Sequence, residues 1–144
     1  MKELTVLIVE DIPTVQTLLS RIVERLLPTS QVITANNGEE GFLKACLARP
    51  DLIITGLAMP QMNGYEMVRL LRREKIGNTT LIIGLSGNDP CQPLTKAFRG
   101  SCDEFLAKPF APGELQAKIT KVLGHNHSQL TCFRQTDTFC RMVT

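Results

Sequence analysis

No apolar run in this chain approaches the roughly 20 residues needed to cross a bilayer, stretches such as Leu52-Ile53-Ile54 falling far short. No membrane segment is therefore expected. The opening Met1-Lys2-Glu3, followed by a short strand-like run ending in Glu10-Asp11, lacks the cationic, apolar and small-residue order of a signal peptide, and the expected location is cytoplasmic. Paired cysteine spacing is missing as well. Cys46, Cys91, Cys102, Cys132 and Cys140 are five, without a CxxC, which excludes a complete disulfide framework and disfavours a zinc ribbon. Nor is one charge sign in excess: 16 Lys+Arg against 14 Asp+Glu leave a formal charge of +2, no footprint for direct nucleic-acid or anionic-membrane binding. Neither GxGxxG nor GxxxxGK[ST] occurs, so dinucleotide and P-loop sites are disfavoured.

What is present is one domain's worth of ordinary globular protein: 144 residues, 43% hydrophobic and 21% charged. Short apolar runs alternate with longer segments of helical period, the pattern of an α/β domain with a parallel sheet covered on both faces. The predicted strands are Leu4–Val9, Gln31–Ala35, Leu52–Thr55, Leu81–Ser86 and Glu104–Ala107. The first, third and fourth are nearly continuous in Val, Ile and Leu, as strands buried on both faces are. Between and after them lie helical segments 13–27, 38–49, 65–75, 93–99 and 112–123, the first opened by Pro13 and stopped by Pro28. Five βα units result, ending at Gly124. Residues 125–144 have no sustained period and read as a disordered tail. Their His125, His127, Cys132 and Cys140 match no standard zinc spacing, and too few residues follow Gly124 for a helix-turn-helix. Met59, Met62, Met67 and Cys46 read as packing.

In an open parallel sheet, ligands bind beyond the carboxyl ends of the strands. There the sequence places Glu10-Asp11, Ser86 and Lys108. Adjacent acids are hard oxygen ligands suited to Mg²⁺, and Lys108, before a proline, sits on a turn that could aim an ammonium at them. Singly each has a blander role: an acidic turn capping the helix at Pro13, a hydroxyl satisfying loop amides, an exposed cation. Together on successive strand ends they point to one site.

The run Val6-Leu7-Ile8-Val9-Glu10-Asp11, then Asn37-Gly38-Glu39-Glu40, Asp51-Leu52-Ile53-Ile54, Met59-Pro60-Gln61-Met62-Asn63-Gly64 and Lys108-Pro109-Phe110, in that order, resembles the response-regulator receiver domains of two-component phosphorelay signalling. The resemblance covers Leu4 to about Leu123. It implies a flavodoxin-like (βα)5 fold with strand order 2-1-3-4-5, over 1–124. It also implies metal-binding acids at Glu10 and Asp11, with the Ala58 backbone beside them, a hydroxyl switch residue at Ser86, an aromatic switch residue at Phe105 and a phosphate-contacting lysine at Lys108. Partners implied are a histidine kinase or a downstream effector, on the face of the fourth helix, fifth strand and fifth helix, or a second copy of the chain.

One expected residue is missing. Three positions before the Met-Pro pair the family carries the aspartate that attacks a phosphohistidine, whereas this chain has Gly56. Glycine has no side chain, so no acyl phosphate can form there. Thr55 should point to the other side of the strand, and Asp51 lies five residues back, ~16 Å at ~3.3 Å per residue. The sequence therefore predicts a stand-alone pseudo-receiver, an interaction module rather than an enzyme, with weak or absent Mg²⁺ binding. Alternatives are a phosphoryl-accepting receiver carrying an inactivating substitution, and a small-ligand binder using the space left at Gly56. Gly41, Gly84 and Gly87 stand where the family more often has alanine, and predict a loosened switch loop.

Overall fold

The computed structural model describes residues 3–76 and 79–124; the expectations for 125–144, including His125, His127, Cys132 and Cys140, lie outside them. Five strands, β1 (Thr5–Val9), β2 (Gln31–Ala35), β3 (Leu52–Gly56), β4 (Leu81–Ser86) and β5 (Glu104–Ala107), alternate with five helices. These are α1 (Pro13–Leu26), α2 (Gly38–Ala48), α3 (Gly64–Arg73), α4 (Pro93–Ser101) and α5 (Pro112–Gly124). All strand pairs are parallel, in the order β2-β1-β3-β4-β5. The predicted elements and order hold, with boundaries shifted by a residue or two and β3 reaching one residue further, to Gly56.

Two apolar layers sandwich the sheet. On one side Leu19, Ile22, Val23 and Leu26 of α1 and Leu115, Ile119, Val122 and Leu123 of α5 cover Val6, Ile8, Leu52, Ile54, Ile83 and Leu85. On the other, α2, α3 and α4 contribute Ala45, Met67, Val68, Leu71 and Phe98 against Leu7, Val9, Ile53 and Ile82. Successive strand residues thus feed opposite layers, as period-two geometry requires. Met59, Met62 and Cys46 pack against the second layer, as expected.

Local sequence fixes the helix starts. Asn37 caps α2 by accepting the Glu40 amide at 2.8 Å. Asn63 caps α3 in a capping box, its side chain accepting the Glu66 amide at 2.8 Å while the Glu66 carboxylate accepts the Asn63 amide at 3.0 Å. The start of α1 has no side-chain cap and relies on Pro13, so the acids at 10 and 11 do not serve as its cap.

The glycines correct one expectation. Gly84 lies inside β4, and a Cβ there would stand 2.7 Å from Cys102 Sγ and 2.8 Å from the Phe98 ring. A Cβ at Gly41 would stand 2.8 Å from both Met67 Sδ and a Val9 methyl. These two glycines make room for larger neighbours rather than loosening a loop. Burial pushes the thiol of half-buried Cys102 up to about 12.

At the β5 edge Glu104 is bonded to Lys118 at 2.9 Å and to Lys121 at 3.0 Å, tying α5 to the sheet. These bonds hold its carboxyl below the ordinary range. A depressed carboxylate adds stability above its unfolded pKa and loses it as pH falls through the folded pKa. Glu104→Gln is therefore expected to lower stability by about 1 kcal/mol near neutral pH, the partly exposed lysines keeping the value small. Urea midpoints followed down to about pH 3 should show variant and parent converging as the carboxylates are protonated.

Candidate functional site

The carboxyl edge of the sheet gathers Glu10 after β1, Gly56 at the end of β3, Ser86 at the end of β4 and Lys108 after β5. Glu10 is 2% exposed and Ser86 4%, so both are buried although they stand at strand ends. Asp11, beside Glu10, is half-buried, and Ala58 is exposed on the loop after β3.

Lys108 reaches across the edge: its Nζ donates to Glu10 Oε2 at 3.0 Å. Strands β1 and β5 are not neighbours, and the bond spans the ends of β3 and β4. Between them stands Gly56. A Cβ there would lie 2.9 Å from Glu10 Oε2, the oxygen that holds Lys108. Burial raises the Glu10 carboxyl above the ordinary carboxylate range; the Lys108 bond opposes this and the Asp11 side chain adds to it. The Lys108-Pro109 peptide is cis.

Ser86 Oγ accepts the amide of Asn88 at 3.0 Å, the blander of its two predicted roles. Phe105 is half-buried, edge-on to Phe98 with ring centroids 6.1 Å apart, and the Arg99 guanidinium lies 5.6 Å from its centroid. Thr55 is fully buried and donates to the Gly56 carbonyl at 2.8 Å. Asp51 sits at the far end of β3, its carboxylate accepting the Thr5 amide at 2.9 Å. Neither belongs to the pocket. A cleft of about 390 Å³ lies on the outer side of α1, lined by Pro13, Thr14, Thr17, Leu18 and Arg21, and not by Gly56.

The walls of the site depend on two close backbone approaches. The Gly64 amide donates to Leu57 O at 2.9 Å, and the Gly38 amide to Met62 O at 3.0 Å. A Cβ at Gly64 would overlap the Gly56 carbonyl, and one at Gly38 the Met62 carbonyl. These are backbone atoms and cannot swing aside. The Asn-Gly pairs thus place a cap and a contact in sequence, pinning the loop 57–63 at both ends, a packing role that sequence motifs alone did not expose.

The 2-1-3-4-5 parallel sheet covered by five helices defines a flavodoxin-like α/β domain, with acids, a hydroxyl and a lysine gathered at its carboxyl edge. A model of the response regulator receiver domain matches residues 6–120, and the chain belongs to that family. It is 32% identical over 118 residues to the alkaline phosphatase synthesis transcriptional regulatory protein PhoP of Bacillus subtilis, covering 82% of this chain and 48% of that protein. It is 36% identical over 128 residues to the cell cycle transcriptional regulator CtrA of Caulobacter vibrioides, covering 85% and 52%. The chain thus spans about half the length of these relatives. Among solved structures it resembles chemotaxis response regulator CheY4 of Vibrio cholerae, with TM-score 0.74, 28% identity and coverage of 84% of this chain and 99% of that one. It also resembles the receiver domain of sensor histidine kinase PA1611 of Pseudomonas aeruginosa, solved with magnesium in its active site cleft, with TM-score 0.74, 27% identity and coverage of 83% and 97%.

Gly64→Ala is expected to destabilise the domain by about 3 kcal/mol or more, because the added methyl must displace backbone at the end of β3. Denaturant unfolding measures this, and Gly100→Ala, where a Cβ would meet nothing within 4 Å, is the matched control expected to cause little change.

Proposed function

We propose that this receiver domain of two-component signalling is a pseudo-receiver: a protein-interaction module, not an enzyme, in which Gly56 stands at the phosphoacceptor position. The observation that carries the reading is the direction of the missing side chain. A Cβ at 56 points at Glu10 Oε2 from 2.9 Å, so position 56 faces the acid and lysine as an acceptor carboxylate would. Thr55 and Asp51 do not replace it, the first being bonded to backbone in the core and the second lying at the opposite end of the strand. Glu10, Asp11, Ser86 and Lys108 are then remnants of a phosphate and metal site, with Ser86 and Phe105 in the switch positions.

Partner binding is assigned to the face of α4, β5 and α5. Phe105 is packed inward against Phe98 and covered by Arg99, and Glu104 binds α5 to β5, which supports one fixed arrangement of this face. A histidine kinase, a downstream effector or a second copy of the chain is the expected occupant. Among the described residues no helix is long and apolar enough to cross a membrane.

Incubation with a small-molecule phosphodonor and Mg²⁺ is expected to add no phosphate to the chain by intact mass. An acid-stable, base-labile increment of one phosphate on the parent protein overturns the proposal. Gly56→Asp is expected to gain that increment once the flexible end of Glu10 has turned aside. Failure of this variant, if folded, to accept phosphate shows that more than the acceptor has been lost.

A further inference from the structure

Receiver-type acids imply a divalent cation, and the donor set here meets that demand poorly. Among the described residues no group of three or more His, Cys, Asp or Glu side chains is placed to hold a metal ion. Of the two pocket acids, Glu10 is already bonded through Oε2 to Lys108 and is 2% exposed. Two carboxylates and one ammonium leave the pocket a formal charge of −1, a weak attraction for an ion that sheds water reluctantly.

We propose that Lys108 is the resident cation of this pocket: its ammonium neutralises Glu10 and excludes a divalent ion from the site, an arrangement that the absence of a side chain at Gly56 permits. Two independent features of geometry converge on one atom. Glu10 Oε2 is the single acceptor that Lys108 Nζ finds among the described residues, and it is also the atom nearest to a Cβ at 56. A side chain at 56 would press on this oxygen, the flexible end of Glu10, so Gly56 and the ion pair meet at one atom. The pair is poorly solvated, Lys108 being 27% exposed and Glu10 2%, and a poorly solvated pair is weakly screened. A divalent ion would have to break that bond before Glu10 could become its ligand. The exposed carboxylate of an ordinary acidic turn presents no such competitor.

This rests on the reading that position 56 brings no third carboxylate, but it fails separately. Manganese(II) serves as the probe, read by line broadening of the Glu10, Asp11 and Leu57 amides in the ¹⁵N-labelled full chain, with Mg²⁺ competition to show that the site is shared. The parent protein is expected to show no saturable broadening up to about 1 mM. Lys108→Met and Lys108→Gln are each expected to bind at least about tenfold more tightly, whereas Lys108→Arg, which keeps the charge, is expected to behave as the parent does. The glutamine variant retains a donor to Glu10 and carries the comparison if the methionine variant does not fold. Equal affinity in the parent and the neutral variants, or no binding in any of them, overturns the proposal. Neither result adds phosphate to the parent chain, which remains the separate test of the acceptor reading.

Discussion

The bond between Lys108 and Glu10 joins strand ends that the sheet itself keeps apart. With the order β2-β1-β3-β4-β5, the ends of β1 and β5 are separated by those of β3 and β4, and the two residues are 98 positions apart in sequence. The Lys108 side chain crosses that gap to Glu10 Oε2, and the bare position at Gly56, whose Cβ would stand 2.9 Å from the same oxygen, leaves that oxygen where the ammonium meets it. The buried acid, the long reach of the lysine and the bare position on β3 therefore form one unit. Removing either charged partner would leave the other without its counter-charge, most expensively for the nearly inaccessible Glu10.

Around this unit the backbone is crowded rather than loose. Gly64 brings the start of α3 against the Gly56 carbonyl, and Gly38 brings the start of α2 against the Met62 carbonyl, so the loop after β3 is gripped from two sides. Farther down β4, Gly84 yields its side-chain volume to Phe98 and Cys102. That gives Phe98 a seat from which it meets Phe105 edge to face. A glycine in a strand costs roughly 0.5–1 kcal/mol in chain entropy, which burial of the Phe98 ring, fully inaccessible here, offsets at several times that value. Local looseness in the unfolded chain and tight packing in the folded one come from the same residue.

This distinction explains what the sequence revealed and what it withheld. The strands were legible because doubly covered β-strands must be apolar almost throughout, and the helices because α1 and α5 each present one stripe to one layer. Glu10, Ser86 and Lys108 were legible as a group because strand ends in a parallel sheet share one edge. The turn before Pro109 pointed the Lys108 ammonium toward the acids, but its bond to Glu10 was not legible. Whether Lys108 would meet solvent, a phosphate or an acid depends on side-chain directions across four strands, which no local pattern encodes. The role of Gly84 was hidden for the same reason, since it is set by residues 98 and 102, whereas Gly56 drew notice only against a motif that demands a carboxylate.

The β5 to α5 connection shows how these constraints combine. Before it, Glu104 is fastened to Lys118 and Lys121 of α5; within it, Lys108 is fastened to Glu10 after β1. A two-state switch needs a second arrangement within a few kcal/mol of the first, and an input that binds the two unequally. In the pseudo-receiver reading, phosphate at position 56 is no longer that input, because no atom there can carry it. The ion pair then favours the arrangement already present, and any shift of this connection must come from a partner that binds it differently. In that reading regulation passes from covalent chemistry inside the pocket to association at the surface.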